Sequence, residues 1–139
     1  YDSILHKTRV GLHLKVANSI EDVFNERLHE FYGMLANHYS RGENEEKAAE
    51  YLLKAGKEAI KSSASSEAIH YFTLALDLYR RKYGKEVDPA IIHEMEKNIA
   101  LALYNKGQYS ECIDIIDRIL LFNGIEFSND LWKVYLKFF

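Results

Sequence analysis

The chain has 139 residues, 47% hydrophobic and 28% charged, with one Pro, one Cys and a formal net charge of -3. This composition excludes a disordered, collagen-like or linker-type chain, and a single Cys excludes an internal disulfide framework or a Cys-based zinc site. The mild negative charge offers no general attraction to nucleic acid or to an anionic membrane surface.

No run of about 18 apolar residues is present, so no transmembrane helix is expected. The N-terminus lacks a basic-then-apolar leader, and the lone Cys fits a reducing, cytoplasmic setting. The start at Tyr1 and the stop at Phe139 within an amphipathic run read as one domain cut from a longer polypeptide.

Apolar residues recur at helical spacing along the chain, and strand-type alternation is absent. Seven helices are predicted. The first, over 3–20, sets Ile4, Leu5, Leu12, Val16 and Ile20 roughly on one stripe. The second, over 24–41, uses Leu28, Phe31, Tyr32, Leu35 and Tyr39, and Gly42 breaks it. The third, over 45–61, uses Ala48, Tyr51, Leu52, Ala55 and Ala59. The serines of 62–66 form a turn whose hydroxyls cap the next helix. That fourth helix, over 66–83, uses Ala68, Ile69, Phe72, Ala75, Leu76 and Tyr79, and Gly84 ends it.

Asp88-Pro89 is a strong start signal, since Asp caps free amides and Pro has no N–H to leave unpaired. The fifth helix runs to about 106 with Ile92, Met95, Ile99, Ala102 and Leu103, and Gly107 ends it. The sixth, over 109–122, uses Cys112, Ile113, Ile116, Ile119 and Leu120. The seventh follows Ser128 with Leu131, Trp132, Tyr135 and Leu136. Short loops make sequential helices antiparallel neighbours. The expected organisation is all-α, with pairs at 1–42, 44–83 and 88–124 and a terminal helix at 128–139.

Three segments share a pattern. Ala36, Gly56 and Ala100 are each followed twelve positions on by Ala48, Ala68 and Cys112, and larger apolar residues lie one turn beyond. Small side chains let two antiparallel backbones approach, and the larger neighbour fills the space beside the contact. In these residues the chain resembles the tetratricopeptide repeat, a helix–turn–helix of about 34 residues. Ile99, Ala100, Leu103, Gly107, Tyr109, Cys112, Ile116, Ile119 and Leu120 carry the likeness over 93–126, with Leu52, Ala55, Gly56, Ala59, Ala68, Phe72, Ala75 and Leu76 over 49–82. Glu96 departs from a position that is usually aromatic, and Cys112 from one that is usually Ala. The resemblance implies antiparallel pairs stacked as a right-handed α-solenoid.

A second resemblance covers 1–79. The runs Leu5-His6-Lys7-Thr8-Arg9, Leu35-Ala36-Asn37-His38-Tyr39 and Tyr51-Leu52-Leu53-Lys54-Ala55-Gly56 look like helices that follow the AAA- or STAND-type ATPase module of large bacterial signalling proteins. Members carry cyclase, kinase or DNA-binding output domains. The resemblance implies a connector or scaffold. It supplies no ATPase or cyclase residues, so no catalytic role is expected in this segment. A free-standing adaptor and a segment of a DNA-binding regulator are the alternatives.

The residues themselves show little chemistry. His6 and His13 are seven apart and His29 and His38 nine apart, neither the i, i+4 spacing of a helical zinc pair, and His38 reads as a half-buried polar group in a helix contact. Cys112 sits at a close-packing position and reads as an inert buried thiol. Ala55-Gly56-Lys57 lacks the phosphate-loop pattern. Glu43, Glu45, Glu46 and Glu50 open a helix, where negative charge is favoured, and Arg80, Arg81, Lys82 and Lys85 close one, where positive charge is. No catalytic, cofactor-binding or metal-ligating residue is assigned.

In a repeat array the first helices of successive pairs line a concave face. Here they would present Glu50, Leu53, Lys57 and Lys61, then Glu94, Lys97, Leu101, Tyr104 and Asn105, as a surface for a protein, a peptide or a neighbouring domain. The carboxylate clamp of some relatives would use Asn37 and Asn98, but Gly33, Lys54 and Glu94 depart from it. The apolar end of the chain, with Trp132, Tyr135, Phe138 and Phe139, is expected to pack on the last pair, on a further repeat or on a second copy.

Overall fold

The computed structural model describes residues 1–124. Six α-helices follow one another: α1 Asp2–Val23, α2 Tyr32–Arg41, α3 Glu45–Lys61, α4 Ser65–Tyr83, α5 Pro89–Asn105 and α6 Tyr109–Phe122. Asn25–Phe31 and Gly84–Glu86 are 3-10 segments, and no strand occurs among the described residues. The helix expected over 128–139, with Trp132, Tyr135, Phe138 and Phe139, lies outside them. No described helix is long and apolar enough to cross a membrane.

Each helix packs on the next in the chain, as the short loops require. Three of the connections share one geometry. Glu43, Ser63 and Gly107 have φ of 58°, 60° and 82°, and each is followed by an amide that reaches back five residues. Asn44 N–H donates to the Tyr39 carbonyl at 2.9 Å, Ala64 to Ala59 at 2.8 Å and Gln108 to Leu103 at 2.9 Å. A left-handed residue with this backward bond satisfies carbonyls that a helix end leaves free. The three turns fall inside the three twelve-residue links, at the same place in each.

The small residues of those links are buried: Ala36 with Ala48, Gly56 with Ala68, Ala100 with Cys112. Their effect is clearest at Gly56, where an added β-carbon would sit 2.7 Å from the Phe72 ring. Phe72, Tyr39, Leu35 and Met95 are the largest fully buried side chains. The stripes expected on α3, α4 and α5 turn inward, and Asp88 accepts the Ala90 amide at 2.9 Å as the cap its sequence foretold. Alternate helices also touch. The Tyr71 ring on α4 fills the notch that Gly33 leaves on α2.

Several expectations fail. Of the stripe assigned to α1 only Ile20 is buried: Ile4, Leu5, Leu12 and Val16 are all exposed, and Ala17 joins Ile20 in the packing. The single helix over 24–41 is two pieces. Arg27, at φ -133° and ψ 40°, breaks the 3-10 segment, where Phe24 and Phe31 stack with centroids 4.4 Å apart. The Ser62–66 hydroxyls do not cap α4, whose N-cap is Ala64 without a side-chain bond. Ser62 instead lends its Oγ to the carbonyls of Glu58 and Ala59, at the end of α3. On α6, Ile115 is buried while Ile113 and Ile116 are 45% and 40% exposed.

Candidate interaction surface

The surface expected from sequence spreads over α3 and α5. Glu50, Lys57, Lys61, Glu94, Lys97, Leu101, Tyr104 and Asn105 are exposed, and Leu53 is half-buried against the core. Lys57 Nζ on α3 lies 3.6 Å from Glu94 Oε1 on α5, an exposed ion pair between two helices that otherwise scarcely touch. Lys54 pairs with Glu50 at 2.7 Å along α3, and Lys61 approaches Glu58 at 4.0 Å. The Tyr104 ring meets Tyr109 edge-on at 5.5 Å. Asn98, a clamp candidate, donates its amide to the Glu94 carbonyl of its own helix at 2.9 Å.

The face is therefore amphipathic and mixed in charge. Leu101 and Tyr104 offer apolar area, and Lys57, Lys97 and Asn105 offer donors. Exposed pairs such as Lys57–Glu94 contribute little to stability in water, since solvent screens them. They are correspondingly cheap to exchange for a partner's charges.

Three polar clusters were not assigned from sequence. In the first, α1, α2 and α3 converge on Glu21. Its Oε1 accepts the Tyr39 hydroxyl at 2.7 Å, the Tyr51 hydroxyl at 2.8 Å and the Lys47 ammonium at 2.9 Å, and Asn18 Oδ1 lies 3.0 Å from the Tyr39 oxygen. Burial alone would raise the Glu21 carboxyl, but the bonds from Lys47, Tyr39 and Tyr51 outweigh it and hold the group below the ordinary carboxylate range. The bond to Glu21 raises Lys47. Burial, then the carboxylate, push both tyrosines up. The Tyr39 and Tyr51 rings stack with centroids 5.7 Å apart, and Lys47 and Lys54 lie over these faces at 5.0 and 5.2 Å. These groups neutralise one another, which suits a joint between helices rather than proton transfer.

The second cluster joins α1 to α2. His13 Nδ1 and His38 Nδ1 are 3.0 Å apart, and His6 Nε2 meets Glu43 at 2.7 Å. His38 is half-buried in a helix contact, as its sequence setting suggested. Burial, then the charges of His13 and Arg41, lower its pKa. The third centres on Glu96, 7% exposed, with Arg80 of α4 at 3.3 Å and Arg118 of α6 at 4.0 Å. Its departure from an aromatic pattern was the signal in the sequence. The Cys112 thiol is buried, and burial pushes its pKa up, which disfavours the reactive thiolate. Among the described residues no three His, Cys, Asp or Glu side chains converge on a point that could hold a metal ion.

No protein-family model, curated protein or solved structure matches this chain.

Proposed function

We propose that this segment is a non-catalytic interaction module, in which the helix pairs stack as a right-handed, tetratricopeptide-like α-solenoid and the α3–α5 face binds a partner protein, a peptide or a neighbouring domain. The observation that carries the reading is the Lys57–Glu94 ion pair, which links exposed residues of two helices separated in sequence by α4. The equivalent turns at Ser63 and Gly107, each inside one helix pair, support stacking of like units, while the same turn at Glu43 joins one pair to the next. The acidic balance of the chain favours a protein partner over nucleic acid. The setting, a connector beside a signalling ATPase in the cytoplasm, rests on the resemblance of 1–79 and on the reducing conditions a lone buried thiol suits.

The test is capture from a lysate of the source cells by the 139-residue chain and by its Lys57→Glu, Lys97→Glu variant. Loss of a specific partner in the variant, with an unchanged circular dichroism melt, supports the face. Unchanged capture removes it. A phosphate-loop sequence upstream in the reading frame supports the connector, and a free-standing gene supports the adaptor.

A further inference from the structure

One side of α6 is apolar and open. Ile113 and Ile116 are 45% and 40% exposed there, and exposed Tyr109 lies one turn before Ile113. The internal repeat gives this side a counterpart. Cys112 corresponds to Ala68, so Ile113 and Ile116 correspond to Ile69 and Phe72 of α4. Phe72 is fully buried and Ile69 half-buried. The difference lies in the helix that comes next. Helix α4 packs on both α3 and α5, and Arg80, about three turns on from Ile69, reaches Glu96 of α5 at 3.3 Å. Helix α6 packs on α5, and no described helix follows it.

The end of α6 is built like the three helix ends that turn the chain back. Gly124 has φ of 72°, and its amide donates to the Leu121 carbonyl at 3.0 Å. The left-handed Glu43, Ser63 and Gly107 donate in the same way to Ser40, Ile60 and Tyr104, at 3.1, 3.1 and 3.0 Å. A helix begins two residues after each of those three and packs on the one before it. A polar group marks the open side as well. Asp117, one turn on from Ile113, has a buried Oδ1 with no hydrogen-bond partner among the described residues. Leaving such an oxygen unpaired is costly, which points to a donor outside them.

We propose that residues 128–139 cover this side as a closing helix, which turns back at Gly124 and packs antiparallel on Ile113 and Ile116. The sequence sets Leu131, Trp132, Tyr135, Leu136 and Phe139 on one stripe, with Asp130, Lys133 and Lys137 off it. At 1.5 Å per residue the stretch is about 18 Å long as a helix and α6 about 21 Å, so the two match in length. The Trp132 indole N–H and the Tyr135 hydroxyl are donors of the kind Asp117 lacks. A second copy offering the same stripe competes poorly, because so short a tether holds the segment at an effective concentration of about millimolar. The proposal stands whether or not the α3–α5 face binds a partner.

Trp132 is the single Trp of the 139-residue chain, so its fluorescence reports on this segment. Emission and acrylamide quenching are read from sub-micromolar to high micromolar concentration. The expected result is a blue-shifted, shielded indole at every concentration. Ile113→Glu and Ile116→Glu each expose it, with a red shift and quenching raised severalfold, while circular dichroism melts confirm that the variants fold. Leu74→Glu, at a similarly exposed position on α4, leaves the emission unchanged. An indole open to the quencher in the wild-type chain overturns the proposal. Shielding that appears only at high concentration also overturns it, because it gives the face to a second copy. So does shielding that survives both Ile113→Glu and Ile116→Glu, or that Leu74→Glu removes equally, since the segment then packs elsewhere.

Discussion

The Phe72 ring lies so close to Gly56 that a β-carbon on that glycine would come within 2.7 Å of it. The α3–α4 contact is therefore set by the missing side chain. Gly56→Ala gains about 1 kcal/mol of helix propensity but forces a fully buried ring to move, at a cost of about 1–3 kcal/mol. The expected net is destabilisation, read as a lower midpoint in urea. Gly11, in the middle of α1, has no atom within 4 Å of its would-be β-carbon. Gly11→Ala therefore stabilises, by up to about 1 kcal/mol.

Ser63 adopts a left-handed conformation, with φ of 60°, at the turn position where Gly107 stands in the third pair. A non-glycine residue there costs about 1 kcal/mol. Ser63→Gly is expected to raise the thermal midpoint modestly, and Gly107→Ala to lower it.

Glu21 is the shared acceptor for two tyrosine hydroxyls and a lysine. Glu21→Ala leaves those donors unpaired in a half-buried joint and costs about 2 kcal/mol in chemical denaturation. Because the folded carboxyl sits below its ordinary value, its contribution is complete above pH 4.5 and is lost as the pH falls through the folded pKa. The acid limb of the stability profile is expected to flatten in Glu21→Gln.

His13 and His38 form a bond that requires one neutral nitrogen as acceptor. His38 has a lowered pKa in the folded chain, so its contribution is complete above pH 6.5 and is lost as the pH falls through the folded value. The neighbouring His6–Glu43 pair is largely exposed on both sides, and solvent screens it. The thermal midpoint is expected to drop by a few degrees between mildly alkaline and mildly acidic buffer, and by less in His38→Asn. Equal drops would remove the pair as the cause.

Glu96 occupies a buried position with partly exposed arginines on either side. Glu96→Leu is expected to be tolerated within about 1 kcal/mol, since Arg80 and Arg118 can turn to water while the cavity is filled. Glu96→Ala adds a void and costs more, and denaturation of the two variants side by side checks the order.

Helices α3, α4 and α5 were legible because each has a single apolar stripe, and α5 also because Asp88-Pro89 marks its start. The twelve-residue links were legible for a physical reason, since the left-handed turn and the small residues on either side of it form one packing unit. Helix α1 was legible only in Ile20, because apolar residues occur on more than one side of it and only its neighbours decide which side is buried. The break at Arg27 left no trace, since Phe24, Leu28 and Phe31 keep helical spacing through it. The Glu21 cluster draws on three helices, so no local pattern could reveal it. Glu96 was visible as a charge where an aromatic is usual, although its arginine partners were not.

The proposed binding surface requires that α3 and α5 share one continuous face. Zero-length carbodiimide coupling tests this directly, because it condenses a lysine amine only with a carboxylate in contact. Peptide mass spectrometry of the monomeric fraction is expected to show a Lys57–Glu94 amide alongside the Lys54–Glu50 and Lys47–Glu21 amides of the neighbouring pairs. If those two form and the Lys57–Glu94 amide does not, Lys57 and Glu94 are not in contact and the shared face does not exist.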